Sequence, residues 1–291
     1  MLYPKSKIYS HLTEPTILKR FNKYNFLPKI ISSFQDYDNI YLITTYYDGK
    51  SLKFFLKKNM TEKQIKFLSA CTIQSLIYLR KEKIIHRDIT MNNIIMDKNK
   101  YFNLIDFSFA IDYSQKDNKE KYFNTFKRVT PPEMLNYQKF DYNSDYYRLG
   151  SIIYYIIFKK YPYNVKLEKK LTNLQVNYKD VKNYSKNCID FLNKLIISNP
   201  KKRIGFKDIN ELKIHSWFIE YDWNNLEKKK LISPFKLIKN EISQTLCTKI
   251  PISDNFLMKY KSYSKIKIYK LLIKKFNYVN KKALNKNFIN L

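Results

Sequence analysis

Glycine is nearly absent: Gly49, Gly150 and Gly205 are the only three in 291 residues. A loop of the form G-x-G-x-x-G, in which closely spaced glycines let backbone amides approach a phosphate, therefore cannot occur anywhere in the chain. Acid is scarce too, with 25 Asp and Glu against 55 Lys and Arg and a formal net charge of +30. A surplus of that size attracts polyanions in principle. No basic-aromatic module of a nucleic-acid-binding type accompanies it. The whole chain is rich in Lys, Asn, Ile, Tyr and Phe, as an AT-rich coding sequence would make it, so no nucleic-acid partner is expected. The cysteines, Cys71, Cys188 and Cys247, are odd in number and far apart, which argues against a disulfide framework or a zinc site and fits a reducing compartment. The amino terminus has no apolar core of a signal peptide. The run Ile152 to Phe158 falls far short of the roughly 20 residues of a membrane span. A soluble, intracellular protein, cytoplasmic or nuclear and monomeric, is the expectation.

What is present is apolar material, 44% hydrophobic and 16% aromatic residues, enough for a folded core despite the charge. Leu27 to Leu52 reads as two β-rich runs broken at Gln35 to Asn39, a hairpin signal. Thr61 and Gln64 form a capping box ahead of Ile65, Leu68, Leu76 and Leu79 at helical spacing. Asp145, Leu149, Ile152, Ile153 and Ile156 share a helix face, and the neighbouring tyrosines make that helix apolar nearly all round. Residues 259 to 286 hold ten Lys and no acid, with Tyr269, Leu272, Ile273 and Phe276 at helical spacing. That pattern predicts a helix lying on the protein's own surface.

Chemistry concentrates between residues 86 and 107, in HRDITMNNIIMDKNKYFNLIDF. Asp88 and Asp106 are carboxylates and Asn93 an amide oxygen. Two short strands, Asn93 to Met96 and Phe102 to Ile105, around the polar turn Asp97 to Lys100 bring Asn93 and Asp106 side by side. A carboxylate near an accepting hydroxyl, with oxygen ligands for a divalent cation, is what phosphoryl transfer asks of a protein.

This pattern resembles the eukaryotic protein kinase signature: His86-Arg87-Asp88 and Asn93, then Asp106-Phe107, then Pro131-Pro132-Glu133 where the family has A-P-E. The stretch RIGFKDINELKIHSWF and Ser233-Pro234-Phe235 are similar to the end of the catalytic domain in the AGC group. The resemblance implies an α+β, two-lobe kinase fold over about Ser6 to Phe235, with a truncated β-rich amino-terminal lobe and a mainly helical carboxy-terminal lobe. The expected divisions are 1–47 for the small lobe and hinge, 48–235 for the large lobe and 236–291 for a basic tail. It also implies a serine/threonine kinase that uses ATP and Mg²⁺ on a protein substrate. Asp88, Asn93 and Arg87 would be its catalytic set, and Asn93 and Asp106 its metal ligands. Thr44 would be the gatekeeper, with the backbone of Thr45, Tyr46 and Tyr47 at the adenine edge. Asp145 would accept hydrogen bonds from the catalytic-loop backbone, and Arg203 would pair with Glu133.

The departures are specific. Only thirteen residues precede Glu14, which resembles the αC glutamate. They are too few for the strands that carry the glycine loop and its lysine, and Lys5 and Lys7 lie too close to Glu14. Pro15 belongs in the first turn of a helix, which places Glu14 at a helix start. Ser108 replaces the glycine of D-F-G. Thr90 stands where serine/threonine kinases carry a lysine, and Phe126 where this group carries a threonine. Lys127 and Arg128 are candidates to face an acidic acceptor, and Ser114, Tyr122 and Thr125 are candidate phosphosites for Arg87. The alternatives to an active kinase are a catalytically impaired binding module and a truncated gene product.

Overall fold

The computed structural model describes residues 13–35, 40–57, 59–114, 130–137, 141–162, 175–177, 179, 181, 183–236 and 278–279. The hairpin turn at 36–39 lies outside them. So do the segment with Tyr122, Thr125, Phe126, Lys127 and Arg128, and all of 259–286 save two residues. The chain divides into two compact units, one of 1–23, 28–46 and 237–291, the other of 24–27 and 47–236.

In the first unit a short helix, α1, covers 13–19. Ile17, Leu18 and Phe21 are buried there, and Pro15 and Glu14 lie in the first turn of its described part, where proline is tolerated. Strands β1 (Ile30–Gln35) and β2 (Ile40–Thr44) pair antiparallel in a register that runs from Ile30 opposite Thr44 to Gln35 opposite Ile40. This is the hairpin the alternating apolar runs predict. The far edge of β1 takes a third strand, Tyr278–Val279, with Ser32 opposite Val279 and Ser33 opposite Tyr278. At these two residues the backbone is extended rather than helical, while Tyr269, Leu272, Ile273 and Phe276, which carry the helical pattern of 259 to 286, lie outside the described residues. An open strand edge presents unpaired N–H and C=O groups, and two β-favouring residues satisfy them more fully than one helical turn would.

The second unit is built on helices. α2 spans Leu52–Phe55, and α3 (Glu62–Lys81) starts at the capping box of Thr61 with Gln64. It is buried along most of its length, including Ser69, Thr72, Gln74 and Ser75. Two small antiparallel pairs follow: β3 (Ile84–Ile85) with β6 (Ile111–Asp112), and β4 (Ile94–Met96) with β5 (Phe102–Leu104). After α4 (Pro132–Tyr137), α5 (Tyr142–Phe158) starts at Asp141, whose carboxylate accepts from the Tyr142 amide. It packs on α6 (Lys186–Leu195) where Gly150 allows close approach: a Cβ at that position would lie 2.8 Å from Leu195 Cβ. The short helices α7 (Glu211–Ile214) and α8 (Trp223–Glu227) complete the unit. Lys229 closes its end, reaching Asp97 at 2.6 Å and Asn103 at 2.8 Å behind the β4–β5 turn.

Candidate active site

The site is assembled on the loop that leaves β3. His86 is fully buried; its Nδ1 accepts from the Asp88 amide (3.2 Å), which makes Nε2 the donor to the Ile105 carbonyl (3.1 Å). One imidazole thus ties the loop to the residue preceding Asp106. Burial pulls the ring's pKa down to about 4, against the pull of Asp88, so it is neutral near pH 7. Its ring also packs on Phe107, with centroids 4.6 Å apart.

Asp145 of α5 holds the same loop from the other side. Its two carboxylate oxygens accept from the amides of His86 (2.7 Å) and Arg87 (3.0 Å). Those bonds stabilise a left-handed Arg87, φ 65°, a conformation that costs a non-glycine residue energy. The Arg87 side chain donates through Nε to the Phe109 carbonyl at 2.6 Å, so it anchors the segment after Asp106. Of the phosphosites considered for it, Ser114 donates its hydroxyl to Asp112, and Tyr122 and Thr125 lie outside the described residues.

Asp88 and Asn93 are brought into direct contact. Asn93 Nδ2 donates to the Asp88 carbonyl (2.8 Å) and to its Oδ2 (3.0 Å). With its nitrogen committed in this way, Asn93 offers its amide oxygen as the remaining ligand. The Asn93 carbonyl accepts from the Ile105 amide at 2.9 Å, and Ile94 lies opposite Leu104. Asn93 and Asp106 therefore flank the ends of paired strands. Asp106 is exposed, left-handed at φ 64°, and accepts at Oδ1 from both the Ser108 amide (3.2 Å) and its hydroxyl (2.6 Å). The donor set of carboxylate and amide oxygens suits a hard divalent cation. Thr90 contributes its carbonyl to the Asn93 amide and brings no charge.

The four hinge residues are placed as follows. Thr44 ends β2. Thr45 is tied to Lys29, its amide donating to the Lys29 carbonyl (2.9 Å) and its Oγ1 accepting from the Lys29 amide (3.1 Å). That amide is thereby engaged. Tyr46 is 80% exposed and Tyr47 half-buried, and the backbone groups of both are unpaired among the described residues.

Around the loop, Arg203 grips Glu133 with two bonds, 2.8 and 2.9 Å, and adds a bond to the Asn143 carbonyl. Ser144 donates to the same glutamate.

A family model described as the protein kinase domain matches residues 4–218. The chain belongs to the protein kinase family. Relatives include a probable serine/threonine-protein kinase of Dictyostelium discoideum, 26% identical over 79% of this chain and 51% of the relative. The RAC serine/threonine-protein kinase of Drosophila melanogaster is 28% identical over 81% and 39%, and the serine/threonine-protein kinase Sgk1 of Danio rerio 27% over 79% and 55%. Such relatives bear out the AGC-group resemblance. The kinase chain spans about half the length of the curated relatives it matches. Protein kinase domains use ATP with a divalent metal and act on proteins. No described helix is long and apolar enough to cross a membrane.

Sequence reasoning missed three parts of this kinase site. The His86 bridge to Ile105 needs the fold to bring together residues nineteen apart. The Ser108 hydroxyl on Asp106 was legible only as a lost glycine. Arg148, in the middle of an apolar helix, left a plain signal: one charge in the run YYRLGS.

Proposed function

We propose that this kinase domain is a serine/threonine protein kinase, moving the γ-phosphate of ATP to a protein hydroxyl with Mg²⁺ bound. One observation carries the reading: the Asn93 amide nitrogen bonds both the backbone and the carboxylate of Asp88, which turns its amide oxygen toward the role of cation ligand. Asp88 orients the acceptor Ser or Thr and takes its proton. The hydroxyl oxygen forms a bond to the γ-phosphorus as the bond to the β–γ bridging oxygen breaks and ADP leaves. Asn93 and Asp106 would hold the Mg²⁺, which supplies charge neutralisation at the phosphates. Arg87 positions the loop rather than touching the reactants, and the free backbone of Tyr46 and Tyr47 suits the adenine edge. A monomeric protein and a proteinaceous acceptor complete the proposal. The assembled Asp88, Asn93 and Asp106 set supports an enzyme over a binding module that has lost catalysis.

The test is Mg²⁺-dependent nucleotide binding by thermal shift on the wild type and Asp106→Ala, with radiolabelled phosphate transfer to generic acceptors. Binding that needs both Mg²⁺ and Asp106, with transfer lost in Asp88→Ala, is the expected result. A chain that neither binds nucleotide nor transfers phosphate would sink the proposal.

A further inference from the structure

Arg148 is completely buried on α5, and its Nε, Nη1 and Nη2 have no hydrogen-bond partner among the described residues. A guanidinium has five N–H donors and ordinarily spends them. Leaving all of them unmet in the interior is costly, so the side chain is not explained by filling space, which a leucine or methionine would do without penalty. Its position is informative. Three residues after Asp145, it shares a helix face with the carboxylate that holds the His86 and Arg87 amides. The charged or titratable groups that act on it or feel it are Asp145 from its own helix, His86, Arg87 and Asp88 from the loop, and Glu133 from α4. From α3, the cation Arg80 lies over the Tyr142 ring instead. Glu133 is already neutralised by Arg203. Asp145 accepts from the two neutral amides of His86 and Arg87 and sits where water does not screen. Its carboxyl is pushed up to about 6 by burial, with Arg148 among the groups opposing that rise.

Resting on the kinase reading above, we propose that Arg148 is a positioning residue: a buried counter-charge that keeps Asp145 ionised, and so keeps the catalytic loop in its left-handed turn at Arg87. The loop itself, from Ile89 to Met96, contains no Lys or Arg. The compensating cation comes from the helix beneath it. No hydrogen bond is required for this, since a charge pair inside a poorly screened interior interacts over several ångströms.

The experiment compares Arg148→Met, Arg148→Lys and Arg148→Met/Asp145→Asn with the wild-type chain. Two readouts are used: thermal unfolding from pH 5 to 8, and phosphate transfer with kcat and KM for ATP separated. Without its counter-charge Asp145 resists ionisation, so the unfolding deficit of Arg148→Met should grow as pH rises. It should be small in Arg148→Lys and independent of pH when Asp145→Asn is also present. Transfer should fall about tenfold in kcat in Arg148→Met, with KM little changed, the size of effect of losing roughly one electrostatic or hydrogen-bonding contribution to the loop. Arg148→Lys should recover most of it. A deficit that is flat with pH and equal in the Met and Lys variants means Arg148 is only structural and overturns the proposal. Should Arg148→Met not fold, Arg148→Gln takes its place under the same criteria. If the wild type transfers no phosphate at all, the kinase reading fails on its own, and the unfolding series still decides whether Arg148 is the counter-charge of Asp145.

Discussion

Ser108 donates its hydroxyl to Asp106 Oδ1 at 2.6 Å, and its own amide reaches the same oxygen at 3.2 Å. A serine in the place of the family's glycine thus becomes a clamp on the proposed metal ligand. It occupies one oxygen of the exposed carboxylate and restricts the backbone where a glycine would flip freely. In Ser108→Ala the hydroxyl bond is lost and the restriction kept. Apparent Mg²⁺ affinity, read from nucleotide-dependent thermal shift, should weaken about 3- to 10-fold, the worth of one exposed hydrogen bond to a charged group. An unchanged Mg²⁺ requirement would show that the clamp is incidental.

The Glu133–Arg203 pair is bidentate and buried, with Arg203 also bonded to the Asn143 and Ile197 carbonyls. Removing one partner strands the other charge. Arg203→Ala should lower stability by about 3 to 5 kcal/mol, whereas a joint Glu133→Gln and Arg203→Met replacement should cost less than the sum of its parts. Chemical denaturation of the two singles and the double forms the cycle that checks it.

His86 and Asp145 oppose one another in their dependence on pH. Burial lowers the His86 pKa to about 4, so the unfolded chain, titrating near 6.5, binds the proton first. About 3 kcal/mol of stability is therefore lost as pH falls from about 6.5 to 4. Burial raises Asp145 to about 6, so there the folded state binds the proton first, and a similar amount is gained as pH falls from about 6 to 4. Relative to wild type, His86→Gln should therefore improve on acidification and Asp145→Asn should worsen. Unfolding midpoints at pH 7, 5.5 and 4.5 measure both slopes, and equal slopes in the two variants would contradict the assignment.

Gly150 lets α5 and α6 touch. An alanine there would set its methyl 2.8 Å from Leu195 Cβ and 2.9 Å from Ile196 Cγ2. Both neighbours are fully buried, so little room exists to yield. Gly150→Ala should destabilise by about 1 to 3 kcal/mol through overpacking, although the same change in an exposed helix would stabilise. Thermal unfolding gives the sign directly.

Local patterns were readable from residues alone because the forces behind them act over a few positions. The Thr61 capping box, the β1–β2 hairpin and the β4–β5 turn that sets Asn93 beside Ile105 all depend on neighbours within a dozen residues or so. The order His86-Arg87-Asp88, Asn93, Asp106-Phe107 likewise named the chemistry before any coordinates. What the residues could not reveal is how distant groups share charge and hydrogen bonds.

By itself, then, the sequence determined the family, the chemical set Asp88, Asn93 and Asp106, and the helices and hairpins that carry them. Tertiary structure alone decided that Asp145 clasps two loop amides, that Tyr278–Val279 pairs with the edge of β1, and that Arg148 is buried without a hydrogen-bond partner among the described residues. The reason is physical. Periodicity reports which face of an element is apolar, while desolvation and pairing of a charge depend on everything packed around it, and that is settled only when the chain has folded.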